Sequence, residues 1–590
     1  MQITNSIHFR NVRGDIFGGI TATVIALPMA LAFGVASGAG PAAGLWGAVL
    51  VGFFAALFGG TPTLISEPTG PMTVVMTAVV TKLTADNPEN GLAMAFTVVM
   101  LAGIFQIILG LLKLGKYITL MPYTVISGFM SGIGLILIIL QFGPLLGTAN
   151  PKGGVIPALQ NAPMVLSNLN INMSEAVLGV LTVAVLFLMP SKLKKYVPPQ
   201  LVALIGCTIL SLIFFSGANI KTIPEFSAGL PQLVMPTFTL EQVNIMIIDG
   251  LVLGMLGCID ALLTAVIADS LTQTEHKSDK ELIGQGIGNL VSGLCGGLPG
   301  AGATMGTVVN IQAGGRTALS GLSRAFILLV VVLWAAPLTQ SIPLAVLAGI
   351  AFKVGIDIID WKFLKRAHNL SWKAAAIMYG VMLLTVFYDL ITAVALGLFV
   401  ANVLTIQKLA NIQADRVKAI DTPHDDSLSC DLAKHLMHEA QGKIMLLDLS
   451  GPMSFGAAKA ITQRQAILDN YKILVIDLTH VPLLGVTATL ALEKTIDDAY
   501  AKSLEVYIVG GEGKIAERLR KFNILERVPH RNLVKTRVAA LQLAVAQLKG
   551  YTIEQIEQEM DMNSGNFSEE FSEDNAQPTN EVSYGDRFSE

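Results

Sequence analysis

The sequence predicts an α-helical polytopic membrane protein of about 14 spans, a 7+7 inverted repeat followed by a C-terminal α/β domain. Three observations carry this prediction. The chain is 52% hydrophobic and only 14% charged, against about 25% charged in an ordinary soluble domain. Apolar windows, most of them long enough for a bilayer and one in the second set a half-helix, recur in two sets of seven. Two glycine- and proline-broken segments occupy corresponding places in those sets.

The first set lies near 15–37, 42–59, 62–82, 92–112, 118–146, 174–190 and 197–216. The second lies near 242–269, 283–298, 303–313, 318–338, 341–358, 372–388 and 390–408. An odd number of spans per copy forces the second copy to insert upside down. Arg10 and Arg13 precede the first window, which is too long and too widely followed to read as a cleaved signal peptide. Alternate loops test the orientation. One set holds Lys113, Lys116, Lys192, Lys194, Lys195, Lys277, Lys280, Arg316, Lys362, Lys365 and Arg366; the other holds Lys82, Lys152 and Lys221. The bias predicts cytoplasmic termini.

The broken segments are LFGGTPTLISEPTGPMTVV and LVSGLCGGLPGAGATMGTVV. Gly59, Gly60 and Pro62 match Gly296, Gly297 and Pro299 at one offset (296 − 59 = 237). Half-helices restarting near Thr69–Thr73 and near Ala303–Thr304 would leave their first N–H groups unpaired, each end carrying roughly half a positive charge. Such ends attract a small anion. Neither segment has the Lys-Ser/Thr of a phosphate loop or the third glycine of a dinucleotide fingerprint. The net charge of −4 is small and the basic residues lie in short loops rather than in one patch, which gives no nucleic-acid footprint.

Ionisable groups deep in a span are functional candidates. Asp260 lies mid-window, with Thr264 one turn later on the same face and no basic residue expected at that depth. Asp260, Thr264, the carbonyls near Gly302 and the Thr304 hydroxyl form a hard-oxygen set suited to sodium, with a proton as the competing coupling ion. Glu67 in SEPTGP is either a cavity residue or a solvated loop residue. Cys207, Cys258, Cys295 and Cys430 form no C-x-x-C pair, so no cofactor or zinc site is expected.

From residue 410 the pattern changes. The runs Ile444–Leu449, Ile473–Leu478 and Val506–Val509 alternate with helical stretches, which predicts a small cytoplasmic α/β domain over 410–562 with a mainly parallel sheet. Residues 563–590 hold seven acidic residues and one arginine and read as a disordered tail.

The opening DIFGGITATVIALPMALAFGVASGAGPAAGLWGA, the paired broken segments and the α/β unit resemble the SulP family of anion transporters with a STAS domain, from Arg10 to about Lys549. The likeness is strongest to its sodium-dependent bicarbonate uptake systems of photosynthetic bacteria, which feed carbon concentration and fixation. The resemblance implies UraA-like core and gate domains over 1–409, elevator motion of the core, and homodimers to which the STAS domains contribute in the plasma (inner) membrane. It implies an anion at positions matching Thr69, Gly70, Ala303 and Thr304, and sodium at Asp260, Thr264, Gly302, Ala303 and Thr304. Many members carry a basic residue early in the tenth helix; its absence here favours cation coupling over simple exchange. In the STAS part, DLTHVPLLGVTA places Gly485 where anti-sigma antagonists have Asp. Thr487 stands at their phosphorylated serine, and a helix N-cap is favoured over phosphorylation there.

The leading reading is therefore sodium-driven bicarbonate symport by a secondary transporter rather than an enzyme. Proton-coupled transport of sulfate, a dicarboxylate or a nucleobase keeps the fold and changes the cargo. A membrane-anchored STAS signalling module is the reading of another class.

Overall fold

Apolar runs flanked by Gly, Pro and Asn set the helix limits, because a bilayer supplies no partner for an exposed peptide group. The computed structural model describes residues 4–5 and 9–551, except 119–121, 149–154, 168–171, 191–192, 194–196, 216–217, 225–228, 335–338, 389, 426–427, 429 and 466–467. The acidic tail expected over 563–590 lies outside these residues. The described chain divides into two compact units, Met1–Asn402 and Val403–Glu590.

In the first unit, helices Val12–Ala36, Pro41–Phe58, Gly91–Leu111, Tyr123–Leu145 and Val243–Thr272 are long and apolar enough to cross a bilayer, as is Thr392–Asp415, which runs on into the second unit. Met173–Leu188, Pro199–Phe214, Ala318–Trp334 and Trp372–Phe387 are shorter apolar helices. A helix over Val155–Ser167 falls between two expected windows. Outward faces are apolar too, with Ile104, Ile108, Val177, Val180, Phe187, Ile247 and Leu251 exposed. An apolar exterior around an apolar core marks a lipid-facing protein.

Packing is reciprocal between the halves. Gly91–Leu111, the fourth window of the first set, packs on Val243–Thr272 and Ser278–Leu294, the first two of the second set. Ala318–Trp334, the fourth of the second set, packs on Val12–Ala36 and Pro41–Phe58, the first two of the first set. A two-fold relation between inverted halves generates this exchange. Glycines make the contacts close. A Cβ on Gly103 would fall 2.6 Å from the Gly286 oxygen and one on Gly286 2.6 Å from the Gly103 oxygen, so only hydrogen fits where these helices cross.

Both broken segments stay broken. Strand β1 (Ser66–Glu67) precedes helix Gly70–Asp86, and strand β2 (Ala301–Gly302) precedes helix Thr304–Gln312. The half-helices start 234 residues apart (304 − 70 = 234). The sequence offset of 237 holds at the glycines and slips by three before the helices begin.

The second unit is a five-stranded sheet in the order β3-β4-β5-β6-β7, with β3 Val417–Ile420, β4 Ile444–Ser450, β5 Ile473–His480, β6 Glu505–Val509 and β7 Leu533–Val534. Only β3 and β4 are antiparallel. Sequence periodicity finds the three buried central strands and misses β3 and β7, which are short edge strands with little apolar signal. One sheet face packs on Phe455–Gln465 and Val486–Ala501, the other on Asp431–Glu439 and Arg537–Lys549.

Parallel register sets Asp448 beside Asp477, and Arg537 spans both at 2.7 and 2.5 Å. Burial pushes the Asp448 carboxyl above its ordinary range more than the arginine lowers it. Arg537→Ala is therefore expected to destabilise this unit by about 2 kcal/mol. A carboxyl that binds its proton more tightly when folded stabilises the fold in acid and loses that contribution as pH rises. Thermal unfolding across pH should show the variant's deficit growing from acid toward neutrality.

Candidate functional site

The two breaks meet. Strand β1 pairs antiparallel with β2, Ser66 opposite Gly302 and Glu67 opposite Ala301, and the Ala303 N–H donates to the Ile65 carbonyl at 2.8 Å. Because the ladder is antiparallel, the half-helices leave it in opposite directions with their N-termini toward one another. Their caps, Thr69 and Ala303, supply no side-chain hydrogen bond. The first intrahelical acceptances are Thr73 N–H to Thr69 and Thr307 N–H to Ala303, both at 2.9 Å. The N–H groups of Gly70 and Met72, and of Thr304, Met305 and Gly306, precede those bonds and point out of the helix ends.

Helix Val243–Thr272 crosses beside the ladder. Thr264, fully buried, donates to the Gly302 carbonyl at 2.9 Å and lies 3.0 Å from the Thr304 hydroxyl. If Thr304 donates to Thr264, one relay of protons orients both hydroxyls and leaves lone pairs of Thr304 and Gly302 toward the crevice. A Cβ at Gly302 would come within 3.1 Å of Ala261 and Thr264, so glycine is what lets ladder and helix touch. Asp260 is 8% exposed, and its Oδ2 has no hydrogen-bond partner. The Thr69 hydroxyl faces the Asp260 carboxyl, but it too lacks a bond of ordinary geometry. Asp260, one turn from Thr264, thus adds a carboxylate to a group of hard oxygens that includes the Thr69, Thr264 and Thr304 hydroxyls and the Gly302 carbonyl.

Thr69, Gly70, Asp260, Thr264, Gly302, Ala303 and Thr304 are thus brought together on or beside the ladder. Thr487 belongs to the second unit. It is exposed as the second residue of helix Val486–Ala501, and the N-cap is Gly485. The expected capping role of Thr487 is corrected, because the helix begins one residue before it.

Sequence reasoning missed the groups that hold the breaks open. Arg324 on helix Ala318–Trp334 is fully buried, donates to the Ala48 and Ser66 carbonyls at 3.3 and 3.1 Å, and pairs with Glu67. This corrects two expectations: a basic residue does lie at the depth of the site, and Glu67 is neither a solvated loop residue nor a free cavity group. The signal was present, since one arginine inside an apolar window is itself a candidate; hidden in the window 318–338, it escaped the loop count. Asp260 still has no cationic partner among the described residues.

A second missed feature is one face of helix Ser278–Leu294. Glu281 accepts from the Gly60 and Thr61 N–H groups at 2.8 Å. One turn on, Gln285 donates to Glu281 and to the Ser66 hydroxyl at 2.9 and 2.6 Å. One turn further, Asn289 pairs with both backbone groups of Gly300 at 2.7 and 2.9 Å and donates to Gln106 at 2.8 Å. The i, i+4, i+8 spacing was legible. Asn310 and Thr307 complete the set, on the Thr63 carbonyl at 2.9 Å and the Ile65 N–H at 3.0 Å.

Residues 12–381 match the sulfate permease family and residues 435–540 the STAS domain. The chain is 62% identical to a bicarbonate transporter, BicA, of Picosynechococcus sp. over 549 residues, 92% of this chain and 97% of that protein. Among solved structures, the transmembrane domain of a cyanobacterial bicarbonate transporter BicA is 69% identical and aligns over 67% of this chain and all of that one, with a TM-score of 0.64. The murine Slc26a9 anion transporter in its inward-facing state is 16% identical, aligns over 92% of each chain with a TM-score of 0.78, and shows the shared fold.

The Glu67–Arg324 pair gives a direct test of the scaffold. Removing one partner strands a buried charge, so Arg324→Gln should cost about 3–5 kcal/mol. Glu67→Gln in the same chain should restore a large part of it. Thermal stability of the detergent-solubilised protein measures both, and equal losses in single and double variants would remove the pair from this role.

Proposed function

The chain belongs to the sulfate permease family, and from that premise we propose that it is a sodium-coupled symporter carrying bicarbonate inward across the plasma membrane. It is a multi-pass membrane transporter and not an enzyme. Bicarbonate as cargo is supported by the name of the relative that is 62% identical. Sodium is supported by one observation: a buried Asp260 oxygen without a partner, beside the Thr69, Thr264 and Thr304 hydroxyls and the Gly302 carbonyl.

Counting charge gives the mechanism its logic. The two helix ends contribute about half a positive charge each, which offsets ionised Asp260 in the empty site. Sodium alone would leave the site about one charge positive, and bicarbonate alone about one charge negative. Both together return it to about neutral. Moving a net charge past apolar walls is costly, so the empty and doubly loaded forms are the ones free to move. Coupling then follows from electrostatics, with no step requiring the ions to touch.

In this reading sodium is ligated by Asp260, Thr264, Gly302, Ala303 and Thr304. The anion accepts hydrogen bonds from the N–H groups at Gly70 and Thr304 and from the Thr69 hydroxyl, with Ala303 at its edge. The site borders helix Leu344–Ile358, since a Cβ at Gly70 would fall 2.4 Å from the Ile358 side chain. An elevator motion carries the ladder and its surrounding helices past that helix. Both termini are cytoplasmic, and two copies assemble with their STAS domains contributing.

Labelled bicarbonate uptake into proteoliposomes tests the proposal. An inward sodium gradient should raise uptake at least tenfold over a sodium-free control. Asp260→Asn should abolish that stimulation, whereas full stimulation in the variant would exclude Asp260 from the cation site.

A further inference from the structure

Helix Trp361–Leu370, WKFLKRAHNL, joins Leu344–Ile358 to Trp372–Phe387 and is two-faced. At 100° per residue, Lys362, Lys365, Arg366 and Asn369 fall on one side and Phe363 and Leu364 on the other. Phe363 and Leu364 pack on Ala375 and Met378, and the Phe363 ring meets Tyr123 edge-on at 5.2 Å. The apolar face is therefore occupied by protein. The basic face is not: Lys362, Lys365 and Arg366, with Lys373 beyond the turn, are all exposed and make no ion pair among the described residues.

The nearby acids are already engaged. Asp360 accepts from the Tyr123 hydroxyl at 2.7 Å and the Ser127 hydroxyl at 2.9 Å and caps the helix through the Phe363 N–H. Asp357 pairs with Lys353 at 2.5 Å. Trp361 and Trp372 flank the basic face, 50% and 75% exposed. Indoles at that exposure, next to the start of an apolar helix, sit where headgroups meet hydrocarbon.

We propose that Lys362, Lys365, Arg366 and Lys373 form a docking surface for anionic lipid headgroups, held at the interface by Trp361 and Trp372. The charge rule puts this loop on the cytoplasmic side, where a leaflet's negative surface potential attracts clustered cations. The fixed contacts to Tyr123–Leu145 make the surface a rigid part of the helices past which the ladder is proposed to move. Bound lipid would then hold those helices at constant depth. The inference is independent of which ion the site carries.

The full chain, with Trp46→Phe and Trp334→Phe to leave the two interfacial indoles as reporters, is reconstituted into phosphatidylcholine vesicles containing brominated phosphatidylglycerol or, in parallel, brominated phosphatidylcholine at equal mole fraction. Quenching should favour the anionic lipid by about fivefold per contributing cation at low salt and weaken as salt rises. Lys362→Gln, Lys365→Gln, Arg366→Gln and Lys373→Gln together should abolish the preference, and arginine at the three lysines should keep it. Elution as a single species confirms that the variants fold. No headgroup preference in the parent, or an undiminished preference in the glutamine variant, overturns the proposal. So does a preference that appears only after residues 552–590 are removed, because the acidic tail would then be the native occupant.

Discussion

A peptide group without a partner cannot persist in hydrocarbon, and this protein breaks two helices in the middle of its transmembrane unit. Several buried polar side chains there answer that constraint. Asn289 takes both backbone groups of Gly300, Glu281 takes two N–H groups at Gly60 and Thr61, and Arg324 takes the carbonyls of Ala48 and Ser66. Among the described residues, the buried side-chain atoms of this unit left without a partner are Thr61 Oγ1, Gln285 Oε1, Asn310 Oδ1 and Arg324 Nε within the scaffold, and Asp260 Oδ2 and Thr69 Oγ1 beside the N-termini of the two half-helices. The proposed binding site is where two of these unpartnered oxygens lie beside the open helix ends.

The two halves solve the same problem with different chemistry. In the second half, an amide on the neighbouring helix, Asn289, backed by Gln106, holds the break at Gly300. In the first half the neighbouring helix has Gly52, whose absent side chain leaves room for Arg324, since a Cβ there would fall 2.7 Å from Nη1. A guanidinium in that space needs a counter-charge, and Glu67 provides it within the ladder itself. The pair is neutral as a unit, so it fixes geometry without changing the sign of the site. Asp260 has no such counter-charge among the described residues.

Much of this was legible in the chain. Duplicated Gly-Gly-x-Pro breaks marked the position of the ladder, and an acid in mid-window with a threonine one turn later marked the helix face that meets it. What was not legible was pairing. Nothing in the sequence says that Glu67 and Arg324, 257 residues apart, meet, because an inverted repeat brings together groups remote in sequence. The E-x-x-x-Q-x-x-x-N face was readable as a polar stripe, but its partners are backbone groups exposed only once the facing spans are known to be broken. Edge strands β3 and β7 failed for a simpler reason, since two to four residues carry too little periodicity.

The central claim is that cation and anion share one electrostatic site, and equilibrium binding tests it with no transport step. Sodium affinity of the purified protein should rise when bicarbonate is present, and bicarbonate affinity should rise with sodium by the same factor, as linkage requires. A factor of at least about ten corresponds to roughly 1.4 kcal/mol of coupling. Sodium affinity indifferent to bicarbonate, measured by calorimetry over the same concentration range, would contradict the account.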